Sequence, residues 1–225
     1  MVGGSQTSHS VVLDLNTLQI CNNNYEHFHD IDQSYQYGVG GVFEKKYPVI
    51  CFGFYNNEVV KNCRIFNHPT LTETAVFDDR VDASAVKWDN YRIWITGGVF
   101  AYDNQARKNT RIIRANGDID WSRQLPYEVS GHCVVRLDYK TFVLVGGKNH
   151  EQDVYFLDKK NDPFNWKPGP QTIHSYQSGF GCVVFEYQGV PAVMVAGGSD
   201  GITDAQKHVE ILQRGASHWI EGNFD

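Results

Sequence analysis

The sequence has no long apolar run; none approaches the ~18 residues that a membrane span requires. The first sixteen residues, MVGGSQTSHSVVLDLN, contain no basic region, and their short apolar stretch breaks at Asp14, so no signal peptide is expected. There is no Asn-x-Ser/Thr acceptor and no Cys-x-x-Cys. The five cysteines (21, 51, 63, 133 and 182) are odd in number and scattered. That argues against a disulfide framework or a zinc site, and for buried, reduced thiols. Proline is scarce, at 7 residues. Positive charge is also short: 20 Lys and Arg face 26 Asp and Glu, a net charge of −6. A nucleic-acid binder needs a basic face, and an anionic membrane attracts basic segments, so neither partner is expected. These absences together predict a cytoplasmic protein without a nucleic-acid or membrane partner.

What the chain does have is glycine, 21 residues of it, with 41% hydrophobic and 20% charged residues. That mix suits a packed core with many tight turns. The 225 residues suffice for one or two domains.

The glycines are placed periodically. Short apolar runs end in paired glycines at "MVGG", "RIWITGG", "TFVLVGG" and "PAVMVAGG". The pairs are Gly3 and Gly4, Gly97 and Gly98, Gly146 and Gly147, and Gly197 and Gly198. Gly53 in "VICFGF" reads as a degenerate member in which Phe54 replaces the second glycine. First glycines therefore recur at spacings of 50, 44, 49 and 51. Another apolar segment precedes each complete member: "YGVGGVFE", "DASAVKWD", "SGHCVVRLD", "SGFGCVVFE". A third follows each pair, such as "DVYFLDK" or "KHVEILQ", and then a fourth, with Trp121, Trp166 or Trp219 in three cases. Four strands in ~45–50 residues is the size of a propeller blade. Sheets set radially crowd their innermost strands, which explains the small residues Gly40 and Gly41, Ser84 and Ala85, Cys133, and Gly181 and Cys182. The tryptophans are expected to fill space between neighbouring sheets.

The Gly-Gly after "VLV", "WIT" or "MVA", then a strand such as "DVYFLD" and a Trp, resembles the kelch repeat. The resemblance covers nearly the whole chain. It departs in the first unit, where Cys21 or Asn22 stands near the family's Trp, and in the second, where threonines do. It implies an all-β, kelch-type β-propeller. Four complete four-stranded blades are expected at about 36–77, 82–126, 130–170 and 178–225, with a partial first blade at 1–24. That count fits a fragment of a six-bladed ring, or an unusual ring of about five blades.

Three stretches invite a chemical reading. "GGSDG" matches the Gly-x-Ser-x-Gly elbow, with Ser199 as nucleophile, if a helix follows. The equivalent place one unit earlier is strand-like, which favours a plain loop. "YEHFHDID" gathers Glu26, His27, His29, Asp30 and Asp32, types that bind divalent metal, although a solvated connection explains them as well. "GVGG" lacks the Lys-Ser/Thr of a phosphate loop. The resemblance also reaches copper-dependent galactose oxidase, but no residues here match its Tyr/His centre. No catalytic residue, cofactor or metal is therefore expected.

Blade topology places the strand 2–3 and 4–1 loops on one face, and here they are the longer ones. Recognition is usually placed on such loops. They carry Arg80, Phe100, Tyr102, Arg107, Lys108, His150, His174 and Tyr176, with aromatic and Arg types enriched at interface hot spots. The expectation is a non-enzymatic module that binds a protein or peptide on this face, of adaptor or scaffold type. The alternative is a metal-dependent or sugar-modifying enzyme on the same scaffold.

Overall fold

The computed structural model of the chain describes residues 2–4, 7–10, 12–14, 19–21, 38–43, 47–55, 58–67, 70–75, 80–121, 123–202 and 206–222. Among them there is no helix, and so none long and apolar enough to cross a membrane. The architecture is all-β, built on four antiparallel four-stranded sheets whose strands pair in chain order. Sheet A is Val39–Phe43, Tyr47–Cys51, Asn62–Asn67 and Thr70–Ala75. Sheet B is Ser84–Asp89, Arg92–Thr96, Thr110–Arg114 and Ile119–Trp121. Sheet C is Cys133–Arg136, Thr141–Val145, Val154–Asp158 and Asp162–Pro168. Sheet D is Gly181–Tyr187, Val190–Ala196, Val209–Gln213 and Ile220–Glu221. Ahead of sheet A, Val2–Gly4, which contains Gly3 and Gly4, pairs with Thr7–Ser10, and Val12–Asp14 pairs with Gln19–Cys21.

The centres of the second strands are apolar on both faces, as in Ile93–Ile95 and Phe142–Val145, because both faces are covered. Successive side chains point to opposite faces. Ile93 and Ile95 join Phe43, Val49 and Ile65 in a core between sheets A and B. Trp94, one residue along, joins Phe142 and Leu144 between B and C. Val143 and Val145 then join Val193, Val195 and Leu212 between C and D. A strand buried on both faces reads as a continuous apolar run.

The first strands of neighbouring sheets also touch, A to B, B to C and C to D. Small residues allow this: a Cβ on Gly41 would lie 2.8 Å from Ile93 Cδ1, and Ser84 Oγ accepts the Val134 amide at 3.0 Å.

The glycine pairs have a conformational cause. Their φ angles are 56° at Gly97 and 92° at Gly98, 61° at Gly146 and 105° at Gly147, and 66° at Gly197 and 84° at Gly198. The same backbone occurs at Phe52 (59°) and Gly53 (99°). The alignment with Gly53 first and Phe54 second is thus corrected by one residue: Gly53 is the equivalent of Gly98, Gly147 and Gly198. The first position lies in the left-handed region that a side chain can enter, and Phe52 does so while buried in the A–B core. The second, near 85–105°, is open only to glycine. At Gly198 space adds to the angle, because a Cβ there would lie 2.6 Å from Phe180 N.

The cysteines also differ from the sequence expectation of free thiols. Cys51 and Cys63, cross-strand partners in sheet A, are disulfide-bonded with Cα atoms 4.0 Å apart. Cys133 and Cys182 are bonded between the first strands of sheets C and D, with Cα atoms 6.4 Å apart. Contact between first strands brings the second pair together across 49 residues of chain.

Trp166 and Trp219 reach back along the chain. Trp166 is half-buried, stacks with Trp94 at 6.1 Å, and donates its indole N–H to Gln124 O at 3.1 Å. Trp219 is buried and donates to Pro170 O at 2.9 Å. Both acceptors lie in the linker that enters the tryptophan's own sheet. Trp121 pairs with Arg111 in the last strand of sheet B.

Candidate functional site

Each loop between second and third strands turns at its glycine pair, or at Phe52–Gly53 in sheet A. In sheets B and C it then meets the linker entering the next sheet. The Gly98 amide donates to Val129 O and the Gly147 amide to Tyr176 O, both at 2.9 Å. Leu125 N donates to Lys108 O at 2.8 Å, and Tyr176 N to Glu151 O at 2.8 Å. Gly198 departs from the repeat here. Among the described residues no linker follows sheet D, and the Gly198 amide makes no such bond. Its carbonyl keeps the loop-closing bond, accepting the Gln206 amide at 2.8 Å as Gly98 O accepts the Arg107 amide at 2.9 Å. These loops and linkers therefore share one end of the sheets.

The 2–3 loop of sheet B builds the most developed cluster at that end. Val99–Phe100 pairs with Gln105–Ala106 on one side and Arg80–Val81 on the other, which makes a small three-stranded sheet. Asn104, at φ 54°, closes its turn. The Arg107 guanidinium lies over the Phe100 ring at 4.6 Å and beside Tyr102 at 6.0 Å. It donates to Tyr102 Oη at 3.2 Å and pairs with the Asp103 carboxylate. Desolvation opposes charge on Asp103, but the Gln105 amide and Arg107 outweigh it and hold the carboxyl below its usual range. Tyr102 remains 71% exposed. The cluster thus offers an arginine plane and two aromatic rings, with the positive charge already compensated.

The other sequence-selected residues divide. Lys108 is exposed nearby. Arg80 is fully buried, contrary to a role at the surface; it donates to Gly97 O at 2.8 Å, to Asn109 O at 3.1 Å and to Asn109 Oδ1 at 3.2 Å. It braces the loop from beneath and lies 5.5 Å from the Phe100 ring centre. Tyr176 is likewise buried and donates to Glu210 Oε1 at 3.1 Å; burial first, then the Glu210 charge, pushes its phenol pKa up. His150 is half-buried, stacked on Tyr127 at 3.5 Å and bonded through Nδ1 to Asp153 Oδ2 at 2.8 Å. His174 stacks on His208 at 3.5 Å.

Behind the loop, His132 is buried and bonded through Nε2 to Thr96 Oγ1 at 2.9 Å. Burial, with Arg80 adding to it, drives its pKa from 6.5 down to about 3. The imidazole is a neutral structural group.

Other candidates fare differently. After Ser199 the chain forms the strand Val209–Gln213, not a helix, and Ser199 Oγ accepts the Gly201 amide at 3.0 Å. The described backbone is thus not that of a nucleophile elbow. Glu26, His27, His29, Asp30 and Asp32 lie outside the described residues. At the opposite end of sheet B, an open cleft of about 370 Å³ is lined by Asp89, Tyr91, Arg92, Arg114, Ala115 and Asn116. Sequence reasoning passed over this cleft because its turns are short. It also passed over Glu210, whose signal was a lone carboxylate inside the apolar strand "VEILQ".

No family model matches the chain, and no curated protein matches it.

Proposed function

We propose that the chain is a kelch-like β-propeller segment that binds a protein or peptide at the end where the 2–3 loops and 4–1 linkers meet, as a non-enzymatic adaptor or scaffold. Sheets A to D are its four complete blades. The N-terminal strand pairs belong to a partial first blade of a six-bladed ring or of one with about five. The radial contacts between first strands and the repeated glycine turns support this reading.

The observation that carries the binding assignment is the Tyr102–Arg107–Phe100 cluster: an exposed aromatic ring stacked beside an arginine on a braced loop. Tyr and Arg dominate interface hot spots, and a pre-ordered loop loses little entropy on binding. Because Asp103 compensates Arg107, the anchor sought is an apolar or aromatic side chain, not an acidic one. The paired cysteines favour an oxidising compartment over the cytoplasm.

Selection of a displayed random peptide library against the purified chain tests the proposal. Enriched peptides should lose binding to Tyr102→Ala and Arg107→Ala and keep it to Tyr91→Ala. Dependence on Tyr91 alone would move the site to the opposite end.

A further inference from the structure

Three metal-ligand side chains from three segments converge beside sheet D. His174 lies in the linker between sheets C and D, His208 directly precedes the third strand, and Glu221 ends the fourth. Glu221 Oε1 stands 3.4 Å from His174 Nε2 and 3.6 Å from His208 Nδ1. All three donor atoms lie within 4.8 Å of one another. A tetrahedral zinc ion with bonds of about 2.0–2.1 Å separates its ligand atoms by about 3.3–3.4 Å. Two of the three edges are already close to that length.

The two imidazole rings are stacked, with centroids 3.5 Å apart and planes 13° apart. A metal held by both nitrogens lies in both ring planes, so binding turns one of these partly exposed rings out of the stack while its donor atom stays within reach of Glu221. The platform beneath is rigid. Glu210, buried and opposite Glu221 across the strand pair, accepts the Ile173 amide at 2.7 Å, the His174 amide at 2.8 Å and the Tyr176 hydroxyl at 3.1 Å. All three donors are neutral, and among the described residues no cation pairs with Glu210. Glu210 therefore fixes the backbone at His174.

We propose that His174, His208 and Glu221 form a divalent metal site of the zinc class. Two imidazole nitrogens and one carboxylate oxygen suit zinc and neighbouring transition metals better than calcium or magnesium, which take oxygen ligands. Bound metal would clip the C–D linker to the last two strands of sheet D. Its fourth position would be left to water or to a ligand atom from a partner. The site is independent of the Tyr102–Arg107 cluster.

The test is calorimetric titration of the chelator-treated full chain with Zn²⁺ at neutral pH, with Co²⁺ absorption as a second reading of geometry. One saturable site and a tetrahedral Co²⁺ spectrum are expected. His174→Ala, His208→Ala and Glu221→Gln should each weaken binding by at least about 10-fold, since losing a ligand costs no less than losing one of its outer hydrogen-bond partners. The double variant His27→Ala/His29→Ala should bind as the parent does. Because His174 and His208 are partly exposed, their metal-free variants should melt with the parent; Zn²⁺ should raise the melting midpoint of the parent alone. Absence of saturable uptake, or uptake kept in His208→Ala and lost in His27→Ala/His29→Ala, would overturn the assignment.

Discussion

The indole N–H of Trp219 donates to the carbonyl of Pro170 at 2.9 Å, joining the end of sheet D to the linker that enters it. Trp166 makes the same bond to Gln124 in sheet C, at 3.1 Å. Sheets C and D are thus each tied from their C-terminal end to their own entrance. Trp219 is 3% exposed, so Trp219→Ala should cost about 3–5 kcal/mol. The half-buried Trp166 should cost less. Denaturant titration measures both, and equal, near-zero losses would contradict the tie.

The glycine turns make a sharper prediction. Gly98, Gly147 and Gly198 have φ of 92°, 105° and 84°, and a Cβ on Gly98 would lie 2.7 Å from Val81 O. Gly98→Ala, Gly147→Ala and Gly198→Ala should each lose at least about 2 kcal/mol from strain and overlap together. Gly189 also has positive φ, 77°, but open space around it. Gly189→Ala should lose only about 1 kcal/mol, by strain alone. Equal losses at Gly189 and Gly198 in denaturant titration would show that overlap adds nothing.

The all-β class and the four-stranded antiparallel sheets were legible because each apolar run is bounded by a turn and repeats. The glycine register was not fully legible at residues 52–53. Matching glycine to glycine hid the fact that the first turn position accepts a side chain in the left-handed region, as Phe52 shows. The surface was harder. Arg80 reads as a residue of the binding loops, yet the carbonyls of Gly97 and Asn109 need its donors inside. His208 and Glu221 gave no local signal, since the cross-strand pairing of residues 210 and 221 and the intervening linker bring them to His174.

His132 gives the fold a pH dependence of known sign. Its pKa falls from 6.5 in the unfolded chain to about 3 in the folded one, so below pH 6.5 the unfolded state takes up a proton that the folded state refuses. Stability therefore falls on acidification through the window from 6.5 to about 3. Linkage for this one group amounts to about 2 kcal/mol between pH 7 and pH 5. His132→Phe, which copies Phe180 in the next sheet, should remove that part of the slope whatever it does to stability at neutral pH. An unchanged difference in melting midpoint between the two pH values would show that His132 is not buried neutral.

The cysteine pairing is open to direct mapping. Alkylation of the denatured, unreduced chain should modify Cys21 alone and leave peptides cross-linked as 51–63 and 133–182. Cys133→Ser should cost about 2–4 kcal/mol by freeing sheets C and D. Modification of all five cysteines without reductant would restore the free-thiol expectation.

The binding face is tested most directly by hydrogen exchange of the chain with and without a selected peptide. Slowed exchange is expected in residues 97–109, 146–153 and 170–178, with no change in the turns at 89–92 and 114–118. Protection confined to those turns, around the cleft lined by Arg92 and Arg114, would contradict it.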